Sequence, residues 1–113
     1  MPKIEDLIDT PFGDIDSGEY VSLDGVPAGP FSEEEVDEIL YHASTGDTWD
    51  GVECAVLRLK SGTLVGYETW WGPTGSGFSA DAYGGDAKLC FARDLDLLLR
   101  MALSDESRRL IGV

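Results

Sequence analysis

The sequence predicts an α+β fold, and three of its features carry this prediction. Residues 52–71 alternate apolar and polar side chains around a glycine-containing turn, which is typical of a β-hairpin. Residues 33–43 and 95–111 instead space their apolar side chains as amphipathic helices do. The 113 residues suffice for one hydrophobic core. We therefore expect a small antiparallel sheet (a short N-terminal strand, the central hairpin and a third strand) packed with an acidic helix and a C-terminal helix.

Residues 1–18 are expected to form a loosely ordered acidic segment that precedes the domain. An apolar spacing of one helical turn is followed there by Pro11 and Gly13, which interrupt a helix. The single α+β domain is then expected to span residues 19–113. Its first element would be a short strand, EYVSL at 19–23, because an Asp-Gly turn follows these residues.

The strongest helix signals come after this strand. Ser32 and Glu35 form the S-x-x-E pattern of a capping box, and Gly46 follows the apolar period as a stop. A helix is therefore predicted over residues 33–43, with carboxylates in its first turn that complement the helix dipole. Its outward face would carry Glu34, Asp37, Glu38 and Tyr41.

The central hairpin is predicted to turn at two residues, Ser61 and Gly62. With that turn, Leu59 would lie opposite Leu64, and both would point to an apolar face of the sheet. The second face of the hairpin is half apolar in this register.

The rest of the chain is predicted to contain a loop, a strand and helical segments. Residues 72–86 hold five glycines and follow neither period, which indicates a long loop. Residues 87–92 would add the third strand of the sheet. Asp94 can cap the last helix, and Ser104 can restart a short helical turn that runs to Ile111.

The charge of the chain is strongly segregated. There are 22 acidic and 8 basic residues, which gives a net charge of −14. Residues 1–56 hold fifteen carboxylates against Lys3 alone, whereas residues 57–113 carry seven charges of each sign. Such a field repels nucleic acid, so direct nucleic-acid binding is excluded, and it attracts basic protein surfaces. The alternative is that the acidity only keeps a small protein in solution or suits a saline cell.

The leading hypothesis is therefore a non-enzymatic acidic protein that docks on a basic surface of a host protein, as an inhibitor or nucleic-acid mimic would. Its carboxylates would imitate phosphates, and a tryptophan would anchor the contact. The candidate binding residues are Glu33, Glu34, Asp37, Glu38, Asp14, Asp16, Asp47, Asp50 and Trp71.

An aromatic cluster in and after the hairpin supports a second hypothesis, an adaptor or assembly module. Trp70 and Trp71 are neighbours in a strand, so they face opposite sides of the sheet and cannot both fill one core. One of them is expected near the surface or under the glycine-rich loop. Such a patch would bind a peptide or a second copy of the chain. A homodimer is therefore one of the expected alternatives.

An enzyme is the least favoured hypothesis. His42 is the only histidine, and no spacing brings it to Cys54 or Cys90, which are expected to be buried thiols. Asp14 and Asp16 begin like a calcium loop, but the glycine and the twelfth residue of that loop do not fit. No catalytic residue, metal or cofactor is predicted.

The location is predicted to be cytoplasmic, in the host if a phage encodes the protein. No apolar run approaches the roughly eighteen residues that a membrane helix needs. The first residues are acidic and lack the apolar core of a signal peptide, so neither a membrane nor secretion is expected.

Two parts of the chain resemble known families. Residues 20–25 (YVSLDG) and 29–32 (GPFS), followed by an acidic segment, locally resemble GYF-type adaptor domains, which bind proline-rich peptides. The Gly-Tyr-Phe signature of that family is absent at residues 43–48 (ASTGDT), so its peptide site is not carried over. Residues 66–75 (GYETWWGPTG) and 99–110 look like small uncharacterised acidic proteins of actinobacteria and their phages. That resemblance implies a hairpin, a glycine-rich loop and a terminal helix, and no activity.

Overall fold

The computed structural model describes residues 4–7, 11–13, 20–47, 49–73, 75–79 and 89–113, which form one mixed sheet with two helices. The strands are β1 (Tyr20–Ser22), β2 (Val36–Gly46), β3 (Gly51–Leu59), β4 (Leu64–Gly72), β5 (Gly75–Ser79) and β6 (Leu89–Ala92). The helices are α1 (Leu95–Ala102) and α2 (Asp105–Ile111), and 3₁₀ turns cover Ile4–Asp6 and Glu33–Glu35. The predicted α+β class is confirmed, with more strands than expected.

Strands from opposite ends of the chain meet in this sheet, whose order is β1-β6-β4-β3-β2. β5 also pairs with β4, beyond the stretch that β6 occupies. Neighbouring strands are antiparallel except β1 and β6, which are parallel, so the expected purely antiparallel sheet is wrong at that edge. Hairpin patterns report only on strands that are adjacent in sequence, which is why the parallel pair was missed.

The sheet is covered on both faces. Val56 and Leu98, both 0% exposed, belong to the core between the sheet and the two helices, which we call the helix core. On the opposite face, Leu57 packs with Leu7 and Phe31 from the segments that flank β1, and we call this the opposite core. Burial of apolar surface on both faces is the main force that holds the sheet in place.

β2 stands where the sequence predicts the acidic helix over residues 33–43, and that prediction is wrong. The capping signal does form, because the Ser32 backbone N–H donates to the Glu35 carboxylate at 2.7 Å. The helical turn nevertheless ends at Glu35, and the chain pairs with β3 from Val36 to Gly46. A cap fixes where a helix begins and is worth about 1 kcal/mol, which does not outweigh a full ladder of strand pairing.

Irregular pairing in β2 explains why the sequence looked helical. The register shifts between Val36 and Glu38 and again between Ile39 and Tyr41. As a result Val36 and Ile39, three positions apart, both contact the opposite core, whereas Leu40 and Tyr41 both contact the helix core. In a regular strand, residues three apart lie on different faces. A bulged strand thus imitates the spacing of a helix.

The hairpin of β3 and β4 is confirmed, with a register different from the expected one. The Leu59 N–H donates to the Thr63 carbonyl at 2.8 Å, so Leu59 is not opposite Leu64 and the turn holds residues 60–62. Gly62 supplies the left-handed conformation that the last residue of such a turn needs, with φ of +94°. Since both faces of the hairpin are apolar, the pattern could not choose between the two turns.

Part of the predicted loop 72–86 is strand β5, which pairs with β4 from Gly75 opposite Gly72 to Ser79 opposite Glu68. The sequence did not predict this strand, because its glycines are of a residue type that is depleted in strands. Residues 80–86 lie outside the described residues.

The C-terminal elements agree with the prediction. The Asp94 carboxylate accepts a hydrogen bond from the Leu97 N–H at 3.3 Å and caps α1, and the Ser104 hydroxyl accepts from the Ser107 N–H at 3.3 Å and caps α2. None of the helices in the described ranges is long and apolar enough to cross a membrane.

Candidate functional site

β2 lies at one edge of the sheet and separates most of the candidate carboxylates into two groups. The start group, before and within the first residues of β2, comprises Glu33, Glu34, Glu35, Asp37 and Glu38. The turn group, between β2 and β3, comprises Asp47 and Asp50. A strand of 11 residues keeps the two groups about 30 Å apart, at roughly 3.3 Å per residue. Asp14 and Asp16 lie outside the described residues. Glu33, Glu34, Asp37 and Glu38, which were predicted to belong to an acidic helix, instead lie at the start of a strand, and Asp47 and Asp50 follow its other end.

One arginine forms ion pairs with two of the five carboxylates in the start group. The Arg58 guanidinium donates to Asp37 at 3.1 Å and to Glu38 at 2.5 Å. The hydrogen bond to Asp37, together with the charge of both carboxylates, raises the pKa of Arg58. Glu33 and Glu34 are exposed, and no ion pair among the described residues involves either of them. The carboxylates of the start group without an ion pair among the described residues are therefore Glu33, Glu34 and Glu35, of which Glu35 accepts the Ser32 N–H.

A groove lies beside these two carboxylates. It has a volume of about 460 Å³, and Phe12, Pro30 and Phe31 form its apolar lining. The exposed carboxylates of Glu33, Glu34 and Glu35 also line it, and we call Glu33 and Glu34 its rim. The Phe12 and Phe31 rings meet edge to face, with centroids 5.9 Å apart. An apolar wall with an acidic rim suits the side chain of lysine or arginine, whose aliphatic stem packs on apolar surface while its charge stays at the edge.

The turn group is built into the connection between β2 and β3. The Asp47 carboxylate accepts hydrogen bonds from the N–H groups of Trp49 at 2.8 Å and Asp50 at 3.1 Å. These bonds favour the ionised carboxylate and lower the pKa of Asp47. The indole N–H of Trp71 donates to the Asp47 carbonyl at 2.7 Å, which ties the turn to β4. Asp47 therefore shapes the turn and also adds charge to it.

The three tryptophans have different surroundings. Trp71, the predicted anchor, is half-buried and held by the turn. Trp70 is 42% exposed and Trp49 is 75% exposed, so these two present indole rings to the surroundings. The expectation that Trp70 and Trp71 lie on different faces, with one near the surface, agrees with this arrangement. Trp49 was not among the candidates, although its position next to Asp50 in a short turn was a signal of exposure.

A buried carboxylate that was not among the predicted candidates, Glu53, lies on the sheet face opposite the helices. Glu53 is 0% exposed, its carboxylate lies 2.8 Å from Nε2 of His42, and the Thr69 hydroxyl donates to it at 3.4 Å. The signal that could have found this pair is a glutamate in an otherwise apolar strand within reach of a lone histidine.

The cysteines lie away from this pair. Cys54 and Cys90 contact the helix core, whereas His42 pairs with Ala55 of the opposite face. Burial raises the pKa of Cys54, and it raises the pKa of Cys90 to about 11. A nucleophilic cysteine needs the opposite shift, toward the thiolate, and a base within hydrogen-bond reach.

Comparison with known proteins gives no assignment of this site. Among the residues described, no group of three or more histidine, cysteine, aspartate or glutamate side chains is placed to hold a metal ion. The function therefore has to be inferred from the two acidic groups, the groove and the exposed tryptophans. Comparison of the chain with protein-family models, with curated proteins and with solved structures finds no match.

Proposed function

We propose that this is a non-enzymatic binding protein that docks on a basic surface of another protein through its acidic groups. The observation that carries the proposal is the exposed pair Glu33 and Glu34 at the rim of an apolar groove, for which the described part of the chain shows no ion pair. Such a rim concentrates negative potential where an apolar wall can hold the stem of a basic side chain. The net charge of −14 adds attraction at longer range.

A basic surface that normally holds nucleic acid has the chemistry that this site fits, because phosphates and carboxylates are both anionic acceptors for arginine and lysine. Bound there, the protein would exclude nucleic acid and act as an inhibitor or nucleic-acid mimic. The resemblance of its second half to proteins of actinobacteria and their phages implies no activity, but it fits a phage origin, and the proposed inhibitor would then act in the cytoplasm of a host.

The test compares two variants with the same change of net charge. Glu33→Gln with Glu34→Gln removes the rim charges, and Asp96→Asn with Glu106→Gln removes two exposed charges from the helices. The ligand is a fluorescent decalysine peptide, and its Kd is measured by anisotropy at several salt concentrations. We expect the rim variant to bind about fivefold more weakly, since two exposed ion pairs are lost, and the helix variant to change by less than about twofold.

The salt series provides the second criterion. Affinity of the unaltered protein is expected to fall steeply as salt rises, because exposed charges are screened. Equal losses of decalysine affinity in the two variants would mean that net charge alone causes the loss, and this would contradict a site at the rim. Binding that salt does not change would contradict the proposal as a whole.

A second candidate function, an adaptor or assembly module, is favoured by the exposure of Trp49 and Trp70, since exposed tryptophans are enriched at interfaces. Under the basic-surface proposal, Trp49→Ala with Trp70→Ala is expected to change decalysine affinity by less than about twofold. The same variant is compared with the unaltered chain by sedimentation equilibrium. Loss of a dimer, or of binding, on removal of the two rings would favour the assembly module instead.

A further inference from the structure

The outer edge of β2 has no paired strand in the described part of the structure, and α2 contacts β2 from the side of the helix core. β2 has 11 residues and pairs with β3 on one side only, and none of the described strands pairs with its other side. In such an edge strand every second residue directs its backbone N–H and C=O away from the sheet. Natural proteins cover or blunt long edges, because an open edge is a template for another strand.

The second half of β2 is the part fit for pairing. Residues 41–46 pair with β3 without a register shift, whereas both irregularities lie before Tyr41. Ser44 and Thr45 are exposed and uncharged, so no side chain there repels an incoming strand by charge. Bulges turn an edge away from a partner, and the regular half therefore offers the flat stretch.

The charges at the two ends of β2 select the partner. We propose that the basic partner presents an extended segment that adds a strand to the outer edge of β2, with lysine or arginine near both of its ends. One end would reach the turn group and the other the rim of the groove at Glu33 and Glu34. About 30 Å between these groups corresponds to roughly nine or ten extended residues. This inference rests on the proposed function and specifies how the basic partner binds.

A second copy of the chain fits this edge less well. In an antiparallel pair of β2 strands, the start group of one copy would lie beside the turn group of the other. In a parallel pair, each group would lie beside its own equivalent. Carboxylates face carboxylates in both orientations, which costs affinity, whereas a basic strand meets opposite charge at both ends.

The experiment uses an eleven-residue peptide, KKTVTVTVTKK, and the full-length protein labelled with ¹⁵N. Binding is followed by the amide shifts of the protein, and we expect the largest changes at residues 41–46. Two further peptides carry N-methyl groups on the three valines or on the first three threonines. Only alternate amides of an added strand face β2, so one methylated peptide is expected to bind at least about tenfold more weakly and the other within about twofold.

The outcomes separate this inference from the proposed function. If the parent peptide binds and both methylated peptides bind equally well, the contact is not strand pairing, and the inference fails while the basic-surface proposal stands. Shifts that map away from residues 41–46 have the same meaning. If β2 amides instead change with protein concentration alone, the edge is occupied by a second copy. Absence of binding by both this peptide and decalysine contradicts the proposed function itself.

Discussion

Gly51→Ala is expected to lower the free energy of unfolding by about 3 kcal/mol or more. Gly51 opposes Trp71 in the ladder, and a Cβ there would overlap the Trp71 indole ring. It would also lie 2.5 Å from the Thr45 carbonyl oxygen, a backbone atom of β2. Neither group can move freely, since the indole N–H is bonded to Asp47 and Thr45 belongs to the paired strand. The variant would therefore strain the end of the sheet that carries the turn group.

The matched control is Gly72→Ala at the end of the next strand. A Cβ at Gly72 has no atom within 4 Å, and its backbone lies outside the left-handed region, as does that of Gly51. We expect this change to stay within about 0.5 kcal/mol of the unaltered protein. Urea denaturation followed by tryptophan fluorescence measures both values. Equal losses would mean that the packing of Trp71 on Gly51 does not restrain the turn.

The helices and the hairpin could be predicted because their signals are local. Asp94 and Ser104 stand directly before the helices that they cap, and no distant contact is needed to interpret them. The capping signal at Ser32 correctly predicted where a helical turn begins. It carried no information on how long the helix would be. That length is decided by β3, which pairs with the next residues from Val36 onward. Local rules thus locate the boundary, and non-local pairing decides the element that follows.

The charge pattern was predictable from composition, but its distribution in space was not. A single compact acidic surface would bring Asp37 and Asp47 close together. The extended strand β2 instead places them about 30 Å apart. Arg58, from the less acidic half of the chain, lies against Asp37 and neutralises part of the start group. Among the described residues, the acidity of the first half of the chain therefore remains without ion pairs in two separate places, at Glu33 to Glu35 beside the groove and at Asp47 and Asp50 in the turn.

Loss of the buried carboxylate is the second large expected effect. Glu53→Ala is predicted to lower the free energy of unfolding by about 3 kcal/mol, because it leaves a cavity and removes the partner of a histidine whose side chain is only 14% exposed. Glu53→Gln keeps the volume and an acceptor, so a smaller loss is expected. Glu38→Ala, which breaks an exposed pair with Arg58, is expected to change stability least.

A double-mutant cycle with His42→Ala isolates the contribution of the pair from that of the cavity. If the 2.8 Å bond between His42 and Glu53 stabilises the sheet, the sum of the two single-variant losses of unfolding free energy will be larger than the loss in the double variant. Urea denaturation at neutral pH measures all four proteins. Additive losses of unfolding free energy would mean that Glu53 acts through packing alone. If Glu53→Ala loses no more stability than Glu38→Ala, a structural role of Glu53 is contradicted. Because His42 and Glu53 lie on neighbouring strands, a coupled pair would hold β2 against β3 and so keep the outer edge of β2 in place for a partner.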